Sequence, residues 1–239
     1  MPQPFLTAEW RYLAMLNYVA DPKLLAPLVP AGTELDFDSG KTFVSVVGFL
    51  FLDTRVMGLP IPFHRSFEEL NLRFYVRRKA AEGWRRGVTF VRELVPRHAI
   101  AFVARKFYDE PYSAAALRHR IQRGSDFLTV EYQWRLRNAW ETLGMTATGE
   151  PRESAAGSHE EFITEHYWGY TARRSKGTSE YAVEHPRWRF WPAETWRLEA
   201  DVAALYGERF VGTLSAEPAS AFITEGSRVL VRPRSTGLA

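Results

Sequence analysis

FEELNLRFYVRR, residues 67 to 78, alternates polar and apolar side chains along almost its whole length. Successive side chains of a β-strand point to opposite faces. As a strand, this stretch puts Glu69, Asn71, Arg73, Tyr75 and Arg77 on one face and Leu70, Leu72, Phe74 and Val76 on the other. FLTVEYQWRL, residues 127 to 136, repeats the pattern, with Leu128, Val130, Tyr132 and Trp134 opposite Thr129, Glu131, Gln133 and Arg135. KTFVSVVGFLFLDTRV, residues 41 to 56, is apolar on both faces, as a strand covered on both sides must be, and its Gly48 permits a bend or bulge. Further strands are expected at WRYLAMLNYV (10–19), GVTFVREL (87–94) and HAIAFVARKFY (98–108).

Helical signals are few and short. In DPKLLAPLV, Asp21 is placed as an N-cap and Pro22 at the first helical position, while Pro27 and Pro30 keep the helix brief. SHEEFITEHYW has Ser158 followed three residues later by Glu161, the spacing of a capping box. PAETWRLEADVAALYGERF is expected to hold one more helix, ending near Gly207, and GMTATGEPRESAAGS to form a loop or weak hairpin. Many strands with few helices imply a mainly β (α+β) fold, a barrel or a sandwich. Periodicity does not decide whether the Glu69 face meets solvent or lines a pocket.

The bulk properties narrow the function classes. A chain of 239 residues is long enough for a sizeable core, and it is expected to form a single domain over 1–239. Cysteine is absent, which excludes disulfides, thiolate ligands and a thiol nucleophile. The opening residues lack a basic segment followed by an apolar one, and no uncharged apolar run approaches the roughly 20 residues of a bilayer span. A cytoplasmic protein without membrane partners is expected. The net charge of +3 is mostly arginine, and its densest cluster, VRRKAAEGWRR (76–86), sits where two strands are joined by a turn. That reads as a solvated hairpin tip, so nucleic acid is not expected as a partner. Eight Trp, ten Tyr and sixteen Phe suit either a thick core or a cavity for a small organic ligand.

The catalytic motifs can be weighed in turn. His159 and His166 lie seven apart, two turns along one helix face, but no H-E-x-x-H spacing results; the acidic residues around them serve capping and the helix dipole, and no metal is expected. Ser113 has no elbow motif and no partner base, and no phosphate-binding glycine loop occurs, so no nucleotide cofactor is expected. An imine requires a lysine with a depressed pKa, and Lys106 is the only lysine in a strand of suitable character. Alternation groups Lys106 with His98 and Tyr108 near a strand end, where lysines point to water. Glu69 is the better chemical candidate: an inward carboxylate on an aromatic strand has a raised pKa, and Arg73 on the same face could hold an anion.

Four stretches together, SFEELNLRFYV (66–76), RGVTFVRELVPRHAIAFVARKFYDEPY (86–112), EEFITEHYWGYT (160–171) and VEHPRWRF (183–190), resemble the YqjF-like family. This family of bacterial proteins belongs to the acetoacetate decarboxylase-like superfamily, and the resemblance runs from about Trp10 to Arg232. It implies an antiparallel, cone-shaped β-barrel around a central cavity, with a few short peripheral helices and the Glu69 face turned inward. In acetoacetate decarboxylase the reactive lysine follows a proline in a P-K-K segment, and its neighbour lowers its pKa. The stretch that corresponds here is Pro111, Tyr112, Ser113, with both lysines missing, so imine-based decarboxylation is not expected. The decarboxylase's pocket glutamate corresponds to Glu69.

The expected site therefore has Glu69 and Tyr112 as catalytic candidates, with Asn71, Arg73, Tyr108 and His185 around a small carboxylate or carbonyl ligand. His185 stands beside Pro186 and Trp188, where a structural corner is the competing explanation. Any reaction would be of lyase, hydratase or isomerase type without an imine; a binding module without coupled acid and base is the alternative. Assembly into a homo-oligomer is compatible with all of these features.

Overall fold

The computed structural model describes residues 3–60, 65–96, 111–173 and 177–238. The strand expected at 98–108 lies outside them, and with it Lys106 and Tyr108. In chain order the first strands are β1 (Leu6–Ala20), β2 (Glu34–Leu35), β3 (Thr42–Val56), β4 (Leu59–Pro60), β5 (Phe67–Ala80), β6 (Gly83–Val95) and β7 (Tyr112–Ala114). They are followed by β8 (Leu117–Arg123), β9 (Phe127–Leu136), β10 (Ala139–Thr148), β11 (Trp168–Ala172) and β12 (Thr178–Glu184). The last are β13 (Phe190–Pro192), β14 (Thr195–Glu199), β15 (Ser220–Val231) and β16 (Ser235–Leu238).

Strand pairing runs β15-β1-β3-β5-β6-β11-β12, and β12 pairs again with β15 through Val183 and Val231, so the main sheet closes on itself as a ring. Most junctions are antiparallel, as expected, but β6 meets both β11 and β7 in parallel. The parallel β6–β7 junction matters for the site because it sets Tyr112 beside Glu93. A separate antiparallel sheet, β14-β10-β9-β8, covers one outer wall of the ring.

Two apolar cores follow from the alternation. Leu70, Leu72 and Phe74 point outward from β5 and pack with Tyr132, Trp134 and Leu143 of the covering sheet. Full burial of each such side chain contributes roughly 1.5–3 kcal/mol. The opposite faces of β3 and β5 send Phe43, Val47, Phe49, Phe51, Phe67 and Tyr75 into the ring interior. Phe162 and Ile163 of a short helix, His159–Thr164, pack into the same interior core. Below them a buried polar chain anchors the wall: the Tyr75 hydroxyl meets Ser45 Oγ at 2.6 Å, Ser45 meets Asn17 at 2.6 Å, and Asn17 donates to Ser220 Oγ at 2.9 Å.

Two of the register slips in the ring bear on its cover and its site. The β1–β3 register slips between Arg11 and Ala14, where Tyr12 takes a φ of 54°, and the Tyr132 hydroxyl donates to the Tyr12 carbonyl at 2.8 Å. Gly48 lies beside this bulge; a Cβ there would stand 2.6 Å from the Tyr132 ring, so the glycine is needed for the close approach of the covering sheet. The second slip, between β5 and β6, makes Val91 an extra residue opposite the step from Leu72 to Arg73.

The helices stay short. Asp21 caps Pro22–Leu25 by accepting from Lys23 N at 2.8 Å. Ser158 caps His159–Thr164 by accepting from Glu161 N at 3.2 Å, while the Glu161 carboxylate accepts from Gly157 N at 2.6 Å rather than from Ser158 N. The helix expected within residues 192–210 is Val202–Tyr206, which ends at Gly207 as expected; the strand β14 precedes it, because TWRLE alternates, pairs with β10 and sends Leu198 into the outer core. One expectation is corrected. The loop expected from Gly144 begins only at Gly149, since Gly144–Thr148 completes β10. No helix among the described residues is long and apolar enough to cross a membrane.

Candidate functional site

A cavity of about 190 Å³ occupies the ring interior. Its walls are mostly aromatic and aliphatic, from Trp10, Phe49, Phe51, Phe67, Phe90 and Trp188. Into this apolar space β5 projects Glu69, Asn71 and Arg73 at alternate positions, β6 adds Glu93, and β7 adds Tyr112.

Glu69 is only 3% exposed. Its Oε1 accepts from Asn71 Nδ2 and its Oε2 from the Tyr112 hydroxyl, each at 3.1 Å. Burial pushes the carboxyl up to about 7, against the opposing influence of these two hydrogen bonds and of the Arg73 charge. Near neutrality such a group exchanges protons readily and, when protonated, can donate to an oxygen of a ligand.

Arg73 is 9% exposed. Its Nη2 donates to the Ile163 carbonyl at 3.4 Å and approaches Met15 Sδ at 3.9 Å, and its guanidinium carbon lies 5.6 Å from the Tyr75 ring centre. Its Nε has no hydrogen-bond partner, and among the described residues the guanidinium forms no ion pair. A buried cation without a carboxylate is energetically unfavourable unless an anion joins it. The Asn71 Oδ1 is likewise buried and unpartnered.

The structure brings Glu69, Asn71, Arg73, Tyr112 and His185 to one cavity. Tyr108 lies outside the described residues. His185 stacks on Trp188 at 4.1 Å and faces Tyr167 at 4.7 Å, with its Nδ1 2.9 Å from the Pro186 carbonyl. Burial holds its pKa below the ordinary histidine value, so it is a neutral ring packed into the corner that Pro186 and Trp188 form.

Glu93, His166 and Thr164 are among the cavity residues that the sequence does not single out as site candidates. Glu93 is 1% exposed. Strict alternation from Val88 and Phe90 would place it on the opposite face; the extra residue Val91 brings it inward. His166 was expected on the helix face of His159. The helix instead stops at Thr164, Glu165 leaves helical geometry with ψ 59°, and His166 turns to the cavity. His159 bonds Asp38 at 2.7 Å and Ser220 at 3.0 Å, so the two histidines do not converge. Thr164 also lines the cavity, and its hydroxyl donates to the Glu160 carbonyl at 2.8 Å. No signal in the sequence distinguishes Thr164. Among the described residues no group of three or more acidic or histidine side chains could hold a metal.

A closed β ring with buried carboxylates at its centre places the chain in the acetoacetate decarboxylase-like class of folds. An acetoacetate decarboxylase from Legionella pneumophila subsp. pneumophila has a TM-score of 0.66 at 14% identity, covering 99% of this chain and 88% of that one. The enduracididine biosynthesis enzyme MppR, solved in complex with pyruvate, has a TM-score of 0.68 at 10% identity, covering 99% and 91%. The likeness at such identities is one of fold. The DUF2071 family, described as an uncharacterized conserved protein, matches residues 7–228, and the chain belongs to it. It is similar to the uncharacterized protein YqjF of Bacillus subtilis (strain 168), with 30% identity over 182 residues, 74% of this chain and 72% of the relative. The resemblance read from the four sequence stretches is borne out.

Proposed function

We propose that the ring cavity binds a small organic carboxylate, held by Arg73 and oriented by Glu69, Asn71 and Tyr112. The observation that carries this reading is the buried Arg73 guanidinium, which forms no ion pair among the described residues and lines the same cavity as Glu69, Asn71 and Tyr112. An incoming carboxylate supplies the missing charge, and a protonated Glu69 then donates to a carbonyl or hydroxyl oxygen of the ligand. MppR binds pyruvate, a small carboxylate, within the same fold, which supports the assignment of ligand class. Tyr112, at the position where the family resemblance puts the imine-forming lysine, lines the cavity, which supports binding without an imine.

Titration calorimetry with matched pairs of small acids and their amides tests the reading. Acids are expected to bind at least tenfold more tightly than the amides, and Arg73→Gln to remove that preference; equal binding of acid and amide would sink it. Borohydride treatment in the presence of a keto acid is expected to add no mass at any lysine, Lys106 included.

A second reading, an enzyme of lyase, hydratase or isomerase type, is favoured by the Glu69 carboxyl, whose pKa near 7 suits proton exchange. Under it Glu69 moves the proton and Tyr112, which donates to Glu69, acts as a neutral hydrogen-bond donor in the lysine's former place.

A further inference from the structure

His166 is 7% exposed, lines the cavity, and is clamped between the Tyr75 ring at 4.7 Å and the Phe162 ring at 5.2 Å. Its Nε2 faces Asp36 Oδ2 at 3.4 Å. Asp36 is itself fixed, accepting from Arg86 Nε at 2.6 Å and from Phe37 N at 3.1 Å. Burial pushes the Asp36 carboxyl up, but the hydrogen bonds from His166 and Arg86 and their charges outweigh it, and its pKa stays below the ordinary value. An ionised carboxylate only accepts, so the imidazole hydrogen must sit on Nε2. Burial also holds His166 neutral near pH 7, with its pKa lowered to about 4. Nδ1 is then a lone-pair acceptor, and it is buried without a partner.

We infer that His166 is the specificity-determining acceptor of the cavity, oriented by Asp36, and that the ligand carries a hydrogen-bond donor besides its carboxylate, as a small hydroxy acid does. This rests on the proposed carboxylate binding and adds a third point to it. Arg73 takes the charge, Glu69 and Asn71 offer the donor and acceptor on the β5 side, and His166 Nδ1 receives the ligand's hydroxyl hydrogen. A plain acid leaves Nδ1 unpaired, and a keto acid sets a carbonyl lone pair toward it. Asp36 acts through His166 as a positioning residue, since it fixes which ring nitrogen carries the hydrogen.

Calorimetry on the full chain with lactate against propionate, and 3-hydroxybutyrate against butyrate, tests the assignment. In at least one pair the hydroxy acid is expected to bind about tenfold more tightly. His166→Leu is expected to level that pair, and His166→Asn, which keeps an acceptor near the Nδ1 position, to restore part of the preference. Asp36→Asn, whose amide can donate to Nε2, is expected to move the hydrogen to Nδ1 and shift the preference toward pyruvate over lactate. Nitrogen-15 shifts read the tautomer directly, with an unprotonated Nδ1 expected in the wild-type chain. Binding of both members of every pair without preference, equal weakening of both members by His166→Leu, or a protonated Nδ1 overturns this inference alone. Failure of every acid to bind overturns it together with the carboxylate reading.

Discussion

At the scale of single residues, the polar half of β5 was legible because nothing interrupts its alternation: Glu69, Asn71 and Arg73 share a face, and that face points into the ring. Glu93 and His166 were not legible as site residues, for local geometric reasons. One inserted residue reverses the parity of β6, and a helix that ends at Thr164 removes His166 from the face that spacing assigns it. Neither event has a marker such as glycine or proline at the position where it occurs. The Tyr112 hydroxyl lowers the Glu69 pKa by donating to Oε2, in opposition to burial. Tyr112→Phe is therefore expected to move the Glu69 titration further up. Carboxyl carbon-13 NMR of the folded protein measures it, and an unchanged or lower midpoint would show that this hydrogen bond does not hold in solution.

At the scale of elements, the burial of β3 on both faces could be read from its continuous apolar run, whereas the reason for Gly48 could not. The glycine answers to Tyr132, a residue far away in sequence whose ring occupies the space of a side chain and whose hydroxyl satisfies the carbonyl exposed by the Tyr12 bulge. One tyrosine thus joins the covering sheet to the most distorted point of the ring. Gly48→Ala forces the Tyr132 ring to move and is expected to destabilise the protein by about 1–3 kcal/mol. Tyr132→Leu alone loses packing and the hydrogen bond, but the combined variant is expected to be less destabilised than the sum of the two, because the added methyl then has room. Urea unfolding of the four proteins reads the coupling; strict additivity would mean that the two residues do not share this space. The β14 segment teaches the same lesson as Gly48: the helix expected before Gly207 forms over Val202–Tyr206, while TWRLE just ahead of it becomes a strand through pairing with distant β10.

At the scale of the whole molecule, closure of the ring buries two titratable groups whose pKa values shift in opposite directions, and both shifts enter global stability. Glu69 has its pKa raised from the ordinary 4.5 to about 7, so between these values the folded chain holds a proton that the unfolded chain has released. This contribution is fully present below pH 4.5 and is lost as pH rises through 7. His166 has its pKa lowered from 6.5 to about 4, with Asp36, Arg86 and Arg73 as the charges that face it. Its contribution is fully present above pH 6.5 and is lost as pH falls through 4. Each amounts to at most about 1.4 kcal/mol per pH unit, and in the overlapping window the slopes oppose one another. Relative to wild type, Glu69→Gln is expected to gain stability as pH rises through its window, by roughly 3 kcal/mol in total. His166→Gln is expected to gain by a similar amount as pH falls through its own window. Urea unfolding from pH 4 to 8 gives the three curves, in which the variants should diverge from wild type at opposite ends. Curves that remain parallel to wild type would mean that neither group is desolvated in the folded chain, and the buried site on which the ligand assignment depends would go with them.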